Sequence, residues 1–498
     1  MNIKINQLNY KKLDFKGNFK KIEESMTNNA LNVFSSMCLT GSGLKTSLSF
    51  KDTELLTHQY IDKILELKKD CIIGYPTYTD SGEVFNTIAL IINGQINNIL
   101  YKKNIKNSYD DFNSNEHVNS FITFSYKGQN IWLAFYDDYK MIPQDRVNEN
   151  DYIILIKDSV VGDSTEYIDK TSKMIIVNRV GVVDSYIYCG NSSIGKSFHL
   201  DAYKESSFLY DTDKELDEKN DINEHISYSD MIISSLRYYF DNNGFRKAVI
   251  GLSGGIDSAV VATLAVEALG AENVIGVLMP SKFSSDHSMT DSIDLAKNLK
   301  INTYTIPITD TFDTFLASLT KSDAFANTDD EQIARENIQA RIRMTYIMSL
   351  CNKYNALMLN TSNKSESAMG YGTIYGDDAG SISPIGDLYK TQVYSLAYEL
   401  NKIYNDVIPI NTIKKAPSAE LSIGQKDTDS LPPYDILDNI LNLIFTTHMS
   451  REDLYKAYND KELIDKIFRN LHHTEWKRRQ EAPAFQLSNT CFTTKIKL

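Results

Sequence analysis

The chain has 498 residues, 42% of them hydrophobic and 23% charged, with a formal net charge of −13. Such a length implies roughly two to four domains with ample core. The acidic balance excludes a broad nucleic-acid surface, but not small anionic ligands held locally by Lys, Arg and backbone N–H groups. No apolar run approaches the ~20 residues of a membrane span. The start, MNIKINQLNYKKLDF, lacks a signal-like apolar core. Five scattered cysteines without a CxxC pair fit a reduced, cytoplasmic setting with neither a disulfide framework nor a thiolate zinc site.

In chain order, residues 1–205 read as a first α/β domain. Strands are expected over Met1–Leu8, Cys71–Tyr75, Asn86–Asn93, Phe121–Phe124, Ile131–Phe135, Tyr152–Ile156 and Met174–Val177. Leu55, Ile61, Ile64, Leu65 and Leu67 predict a helix over Glu54–Lys68. Asn93-Gly94 between two apolar runs predicts a hairpin. The pattern is sandwich-like. Residues 206–226 are acidic and poor in aliphatics, which reads as a solvated linker.

The second domain, 227–498, opens with an amphipathic helix over Ser227–Phe245. Strands over Val274–Met279, Tyr304–Ile308 and Ala356–Asn360 then alternate with helices over Ser288–Leu299, Ile333–Tyr354 and Val393–Leu400. Ser284-Ser285-Asp286 would cap the first of these helices. Strand–helix alternation implies a parallel sheet that binds ligands at the carboxyl ends of its strands. Three loops collect there: Ser253–Ser258, Pro280–His287 and Thr361–Glu366.

The first of these loops carries the strongest chemical signal. Ala248–Ala259 reads AVIGLSGGIDSA, an apolar strand feeding a Gly-rich turn and an Ala-rich helix. Such a turn presents free N–H groups to a phosphate. Gly254 and Gly255 allow close backbone approach, and Ser253 and Ser258 add hydroxyl donors. Asp257 beside an anion makes sense when a divalent cation lies between them. There is no GKS/T ending and no GxGxxG. SGGxDS after a strand resembles the pyrophosphate loop of the N-type ATP pyrophosphatases, which split ATP between the α and β phosphates and adenylate a carboxylate or carbonyl oxygen.

Further stretches extend that resemblance. VIGVLMPSKFSSDHS, ENIQARIRM, TSNKSE, GYGTIYGDDAGSISPIGDLYKT and PSAELSIGQKDTDSLPPYD jointly resemble the synthetase domain of the NAD synthetases over roughly 225–480. The resemblance implies amidation of deamido-NAD by ATP and ammonia through an adenylated carboxylate, with AMP and pyrophosphate released. It makes Asp257 and Glu366 ligands of Mg²⁺, the implied cofactor. It gives Lys364, Lys390 and Thr361 contacts to phosphates and developing charge. Asn337 and Arg341, four apart on one helix face, would hold deamido-NAD, and Asp377 would be a further substrate-site carboxylate. Lys477-Arg478-Arg479 would lend positive charge near the nucleotide. Homo-oligomerisation through this domain is also implied. Ser362 replaces a turn glycine of the family, and Ser422 stands where an arginine is common.

The first domain is similar to the nitrilase-type amidases in its order of fragments: FSSMCLTGSGL, CIIGYPTY, NTIALIINGQINNILYKKNI and VNRVGVVDSYIYCGNSSI. Such domains hydrolyse glutamine with a Glu–Lys–Cys triad. Here Ser36 stands in the place of the glutamate and Tyr136 in that of the cysteine. No carboxylate occurs between Glu24 and Asp52, and no cysteine between Cys71 and Cys189. Lys103 is the best match to the triad lysine, with Lys102 and Lys106 competing. Cys38 and Cys189 read as inert packed thiols. The leading expectation is therefore an ammonia-using NAD synthetase with a degenerate amidase domain. The alternatives are a synthetase fed by a separate glutaminase subunit, another pyrophosphatase-type ligase, and a nucleotide-binding sensor without catalysis.

Overall fold

The computed structural model describes residues 1–103, 112–113, 120–161, 171, 173–214, 216, 227–326, 328, 331–418, 420–422 and 424–494. The chain divides into two compact units, Met1–Ser227 and Tyr228–Leu498.

The first unit is built on strands β1 (Asn2–Gln7), β2 (Leu31–Val33), β3 (Cys71–Tyr78), β4 (Val84–Ile92), β5 (Gln95–Tyr101), β6 (Phe121–Tyr126) and β7 (Gln129–Phe135). It continues with β8 (Tyr152–Ile156), β9 (Met174–Val177), β10 (Val180–Val183), β11 (Tyr186–Cys189), β12 (Ser193–Ile194), β13 (Phe198–His199) and β14 (Ser206–Asp211). One six-stranded sheet runs β14-β1-β2-β3-β4-β5 and the other β13-β12-β9-β8-β7-β6, with β10 and β11 as a separate hairpin. Ile3, Ile5, Ile72 and Ile88 of the first sheet meet Ile131, Leu133, Ile154 and Ile175 of the second in one buried core. Every residue of β8, YIILI, is buried, as a central strand covered on both faces requires. Helices α1 (Phe15–Ser25) and α2 (Lys51–Glu66) cover the first sheet with Phe15, Ile22, Ile61 and Ile64. Asn93 and Gly94 both take positive φ in the β4–β5 hairpin.

The expected linker begins later than its composition suggests. Residues 206–211 form β14, paired antiparallel with β1 from Asn2↔Asp211 to Gln7↔Ser206.

In the second unit, β15 (Lys247–Gly251), β16 (Val274–Leu278), β17 (Asn302–Thr305) and β18 (Ala356–Met358) form a sheet ordered β17-β16-β15-β18. All its pairings are parallel. Its helices are α3 (Tyr228–Asn243), α4 (Ile256–Leu269), α5 (Asp286–Leu299), α6 (Thr309–Lys321), α7 (Gln332–Tyr354), α8 (Lys364–Met369) and α9 (Lys390–Ile403). The Ser285 side chain caps α5 by accepting from the Ser288 N–H. Strand β17 lies earlier than Tyr304–Ile308. The exposed residues NTYT make the ladder, and the amides of Ile306 and Ile308 donate to Leu278 O and Pro280 O beyond it. Helices Tyr434–Thr446, Arg451–Tyr458 and Lys461–His473 pack a second core around α8 through Leu437, Ile440, Leu441, Leu454, Ile464 and Ile467. Among the described residues no helix is long and apolar enough to cross a membrane.

Candidate functional site

The carboxyl ends of β15, β16 and β18 open into a cavity of about 290 Å³. At its floor the chain leaves β15 and turns through Ser253–Gly255 into α4. Gly254 has φ +75°, and a Cβ there would lie 2.4 Å from Ser288 O, so this turn accepts glycine alone. Ser253 Oγ accepts from Gly255 N at 3.2 Å and lies 3.2 Å from Ser258 Oγ, while Ser258 Oγ donates to Gly255 O at 3.0 Å. Both serines thus brace the turn.

Asp257, in the first turn of α4, faces α8 and α9. Lys390 Nζ donates to Asp257 Oδ2 at 2.6 Å and to Glu366 Oε1 at 3.0 Å. Asn363 Nδ2 donates to Asp257 Oδ1 at 3.0 Å, while its Oδ1 accepts from Glu366 N and caps α8. The Lys390 side chain is 2% exposed. Burial alone would pull its ammonium down, but Asp257 and Glu366 outweigh this and hold it above its ordinary value. Glu366 is pushed up to about 8, first by burial, with Asp257 and Asp427 adding repulsion against the pull of Lys390.

Ser253, Gly255, Asp257, Ser258, Thr361, Glu366, Asp377 and Lys390 all line this cavity. Gly254 instead supports it from behind, against Ser288. Asp377 keeps a solvent-exposed face, accepts from Thr373 N at 3.0 Å, and has its carboxyl raised by the protein crowding it.

Five of the expected contact residues are engaged by partners within the protein. Lys364 points away from the cavity into a buried ion pair, donating to Asp387 Oδ1 at 2.8 Å and Thr490 Oγ1 at 2.7 Å. Asn337 accepts from Thr373 Oγ1 at 2.8 Å, and the exposed Arg341 donates from Nε to Ile374 O at 3.1 Å. Both therefore brace the 373–374 turn. Lys477 donates to Gly370 O and Gly372 O at 2.9 and 2.8 Å, and Arg478 donates to Ser367 O and Ala368 O. These cations satisfy backbone carbonyls at the end of α8. Ser362 does not take a left-handed conformation and its amide donates to Asn360 Oδ1 at 2.8 Å, so the turn needs no glycine there.

Residues 228–481 match the NAD synthase family. The chain belongs to that family. It is 48% identical to a glutamine-dependent NAD(+) synthetase of Synechocystis sp. over 257 residues, 51% of this chain and 45% of that protein. Against this relative it spans about half the length. It is 30% identical to a glutamine-dependent NAD(+) synthetase of Acinetobacter baylyi over 450 residues, 85% of this chain and 82% of that one. The solved glutamine-dependent NAD+ synthetase of Acinetobacter baumannii, in complex with ADP, superposes with a TM-score of 0.73 at 25% identity, covering 100% and 97% of the two chains. That of Cytophaga hutchinsonii superposes at 0.81 with 19% identity over 99% and 96%, a likeness of fold. The chain carries a nitrilase-like unit followed by a synthetase unit.

In the nitrilase-like unit, Ser36 Oγ donates to Asn86 Oδ1 at 2.9 Å, and Tyr136 follows β7 under Lys157 Nζ, 4.8 Å from its ring centroid. The lysine that reaches this turn is Lys102. Its Nζ pairs with Asp137 Oδ2 at 2.9 Å and its side chain is 2% exposed. Lys103 offers its backbone N–H to Asp138 Oδ2 at 2.9 Å. Lys106 lies outside the described residues. Burial lowers the Lys102 ammonium, but Asp137, with Asp158 and Asp138, raises it further than burial lowers it. Burial pushes the Cys38 thiol up to about 12 and also raises the half-buried Cys189. Both stay protonated at neutral pH.

Sequence reasoning missed Arg343, which lines the synthetase cavity and donates from Nε to Met279 O at 3.2 Å. The signal was present: Ala340, Arg343, Met344 and Ile347 form one stripe of α7, and Arg341 lies off it. It also missed Glu420, which accepts from Ser285 Oγ at 2.9 Å and Ser288 Oγ at 2.6 Å, and Asp427.

Proposed function

We propose that the chain makes NAD from deamido-NAD, ATP and free ammonia, through an adenylated carboxylate, releasing AMP and pyrophosphate. Family membership supports the synthetase chemistry, as does the ADP complex of the Acinetobacter baumannii relative. The observation that carries the reading is the phosphate loop, with its Asp257, meeting Lys390 and Glu366 in one cavity. Backbone N–H groups and serines of the loop would hold phosphate oxygens. Lys390 would follow the charge that develops as pyrophosphate departs.

The donors suit Mg²⁺. Asp257 and Glu366 offer hard carboxylate oxygens, and both press on the one ammonium of Lys390, leaving negative charge that a dication would offset. Among the described residues no three metal-ligating side chains converge on one point, so a cation held by these two would share its coordination with ATP. When bound, it would supply neutralising charge to the pyrophosphate leaving group.

Free ammonia as nitrogen source rests on the other unit. Ser36 has no carboxylate to act as base, Tyr136 is a phenol in the nucleophile's place, and Cys38 and Cys189 are protonated. Relatives named glutamine-dependent make this the sharpest point to test. Purified protein given deamido-NAD and ATP is expected to form NAD with ammonium and not with glutamine, and to release no glutamate. NAD formation from glutamine by this chain alone would overturn the reading. Restoration of glutamine use by an added partner would assign the supply to a separate glutaminase. Absence of turnover with either nitrogen source would favour a nucleotide sensor. We place the protein in the reduced cytoplasm as a homo-oligomer joined through the synthetase unit, which sedimentation would test.

A further inference from the structure

Asp427 is a buried carboxylate to which the adenylation steps above assign no contact with substrate. It lines the nucleotide cavity and is 3% exposed. Its Oδ2 accepts from the Tyr434 hydroxyl at 2.9 Å. Its Oδ1 is buried with no hydrogen-bond partner, and so is the hydroxyl of Tyr371, which lines the same cavity. The two groups perturb one another's protonation without closing a well-formed hydrogen bond. An unsatisfied buried oxygen is costly, so a small donor that reaches Oδ1 beside the Tyr371 hydroxyl would be favoured here.

The electrostatics say which donor suits it. Asp257, Glu366 and Asp427 act together on the single ammonium of Lys390, which lies 5.3 Å from the centroid of the Tyr434 ring. The same cluster therefore already accommodates one R–NH₃⁺ group between carboxylates and a phenol. A divalent cation is a poor occupant of the Asp427 slot. The group that hydrogen-bonds Asp427 there is a phenol hydroxyl rather than a metal-ligating side chain, and no three metal-ligating side chains converge among the described residues. An ammonium ion has four N–H donors, fits the space of a water molecule, and makes a charge-assisted bond to a carboxylate.

We propose that Asp427 Oδ1 and the Tyr371 hydroxyl form the seat of the ammonium ion whose nitrogen enters the product: the ion yields one proton to the Asp427 carboxylate, the freed nitrogen lone pair attacks the adenylated carbon, and the bond to the AMP oxygen breaks with its electron pair as a second proton passes to water. This rests on the ammonia-using reading above. Tyr434 fixes the Asp427 carboxylate from its other oxygen, leaving Oδ1 turned to the incoming cation. The seat lies in the cavity that also holds the phosphate loop, so nitrogen and activated carboxylate would meet without a separate delivery step.

The test uses the full chain, ammonium chloride as the varied substrate, and saturating ATP and deamido-NAD. Exchange of pyrophosphate into ATP without ammonium reports adenylation by itself. Asp427→Asn is expected to raise the KM for ammonium about tenfold while exchange persists, the loss of one charge-assisted contact. Tyr371→Phe, which keeps the ring, is expected to raise it about threefold. An unchanged KM for ammonium in either variant overturns the seat, as does a parallel loss of exchange and ammonium response. Should Asp427→Asn not fold, Tyr371→Phe decides by the same criterion. Absence of exchange in the unaltered protein would instead strike down the synthetase reading itself.

Discussion

Lys390 and Lys102 are both 2% exposed, and each holds an aspartate oxygen at under 3 Å, yet they belong to very different places. Lys390 forms part of a cavity wall, takes Glu366 as a second partner, and shares that cavity with the glycine turn at the start of α4. Lys102 sits at a turn where a serine is tied to an amide and a phenol lies beneath another lysine. The pair itself does not make a reactive centre, since buried ion pairs of this kind also serve as struts. What distinguishes Lys390 is its company: a second carboxylate in direct ion-pair contact, and open space for a ligand beside it.

The comparison breaks first at Asp257. Asp257→Asn is expected to cut pyrophosphate release by on the order of a thousandfold, several kcal/mol of barrier. Near-normal release would mean that the phosphate loop is not where charge develops.

Lys364→Ala and Lys102→Ala test the struts. Lys364→Ala leaves the buried Asp387 without its cation and is expected to cost about 3–5 kcal/mol of stability, whereas Lys102→Ala leaves the partly exposed Asp137 and is expected to cost less. Denaturant titration measures this, and a loss below 1 kcal/mol for Lys364 would return that lysine to the cavity.

Sharper still is the contrast of neighbouring arginines. Arg343→Ala is expected to weaken ATP binding by roughly 1.5–3 kcal/mol, whereas Arg341→Ala acts mainly on deamido-NAD. Calorimetry with each ligand separates them, and equal losses for both ligands in both variants would erase the distinction.

The smallest effect is expected in the nitrilase-like unit. A thiol raised to about 12 carries little thiolate at any pH below that value, and its reactivity grows only as pH climbs. Iodoacetamide at pH ~7.5 should therefore label Cys189 ahead of Cys38 and leave ammonium-dependent NAD formation intact. Inactivation that tracks Cys38 labelling would reopen that unit as a working amidase.

Much of this was legible beforehand. The Gly-rich turn between β15 and α4 and the strand–helix alternation are matters of residue type and order, which a sequence displays directly. Side-chain direction is less accessible. Lys102 and Lys103 are adjacent at the end of a strand, where one residue of register decides which of them turns inward. Arg341 and Arg343 differ by two helical positions, and only the inward stripe of α7 separates them. Strand β14 reads as linker because its alternation is weak and its neighbours are acidic; β1 supplies the pairing that orders it. Asp427 is one acid in an irregular stretch, and its meaning comes from Tyr371 and Tyr434, 56 and seven residues distant along the chain.

The tie between Lys364 and Thr490 spans 126 residues. Asp387, which anchors Lys364, also accepts from the amides of Leu487 and Ser488 at 2.9 and 2.7 Å. The helix that carries Glu366 is thus clamped by a stretch made long after it. At synthesis rates of roughly 5–20 residues per second, a ribosome spends on the order of ten seconds between the two. During that interval the nascent synthetase unit has its phosphate loop but not the clamp that steadies the opposing carboxylate. Competence therefore arrives late and all at once, and a chain truncated before Ser488 would carry nearly every site residue in an unsteady frame.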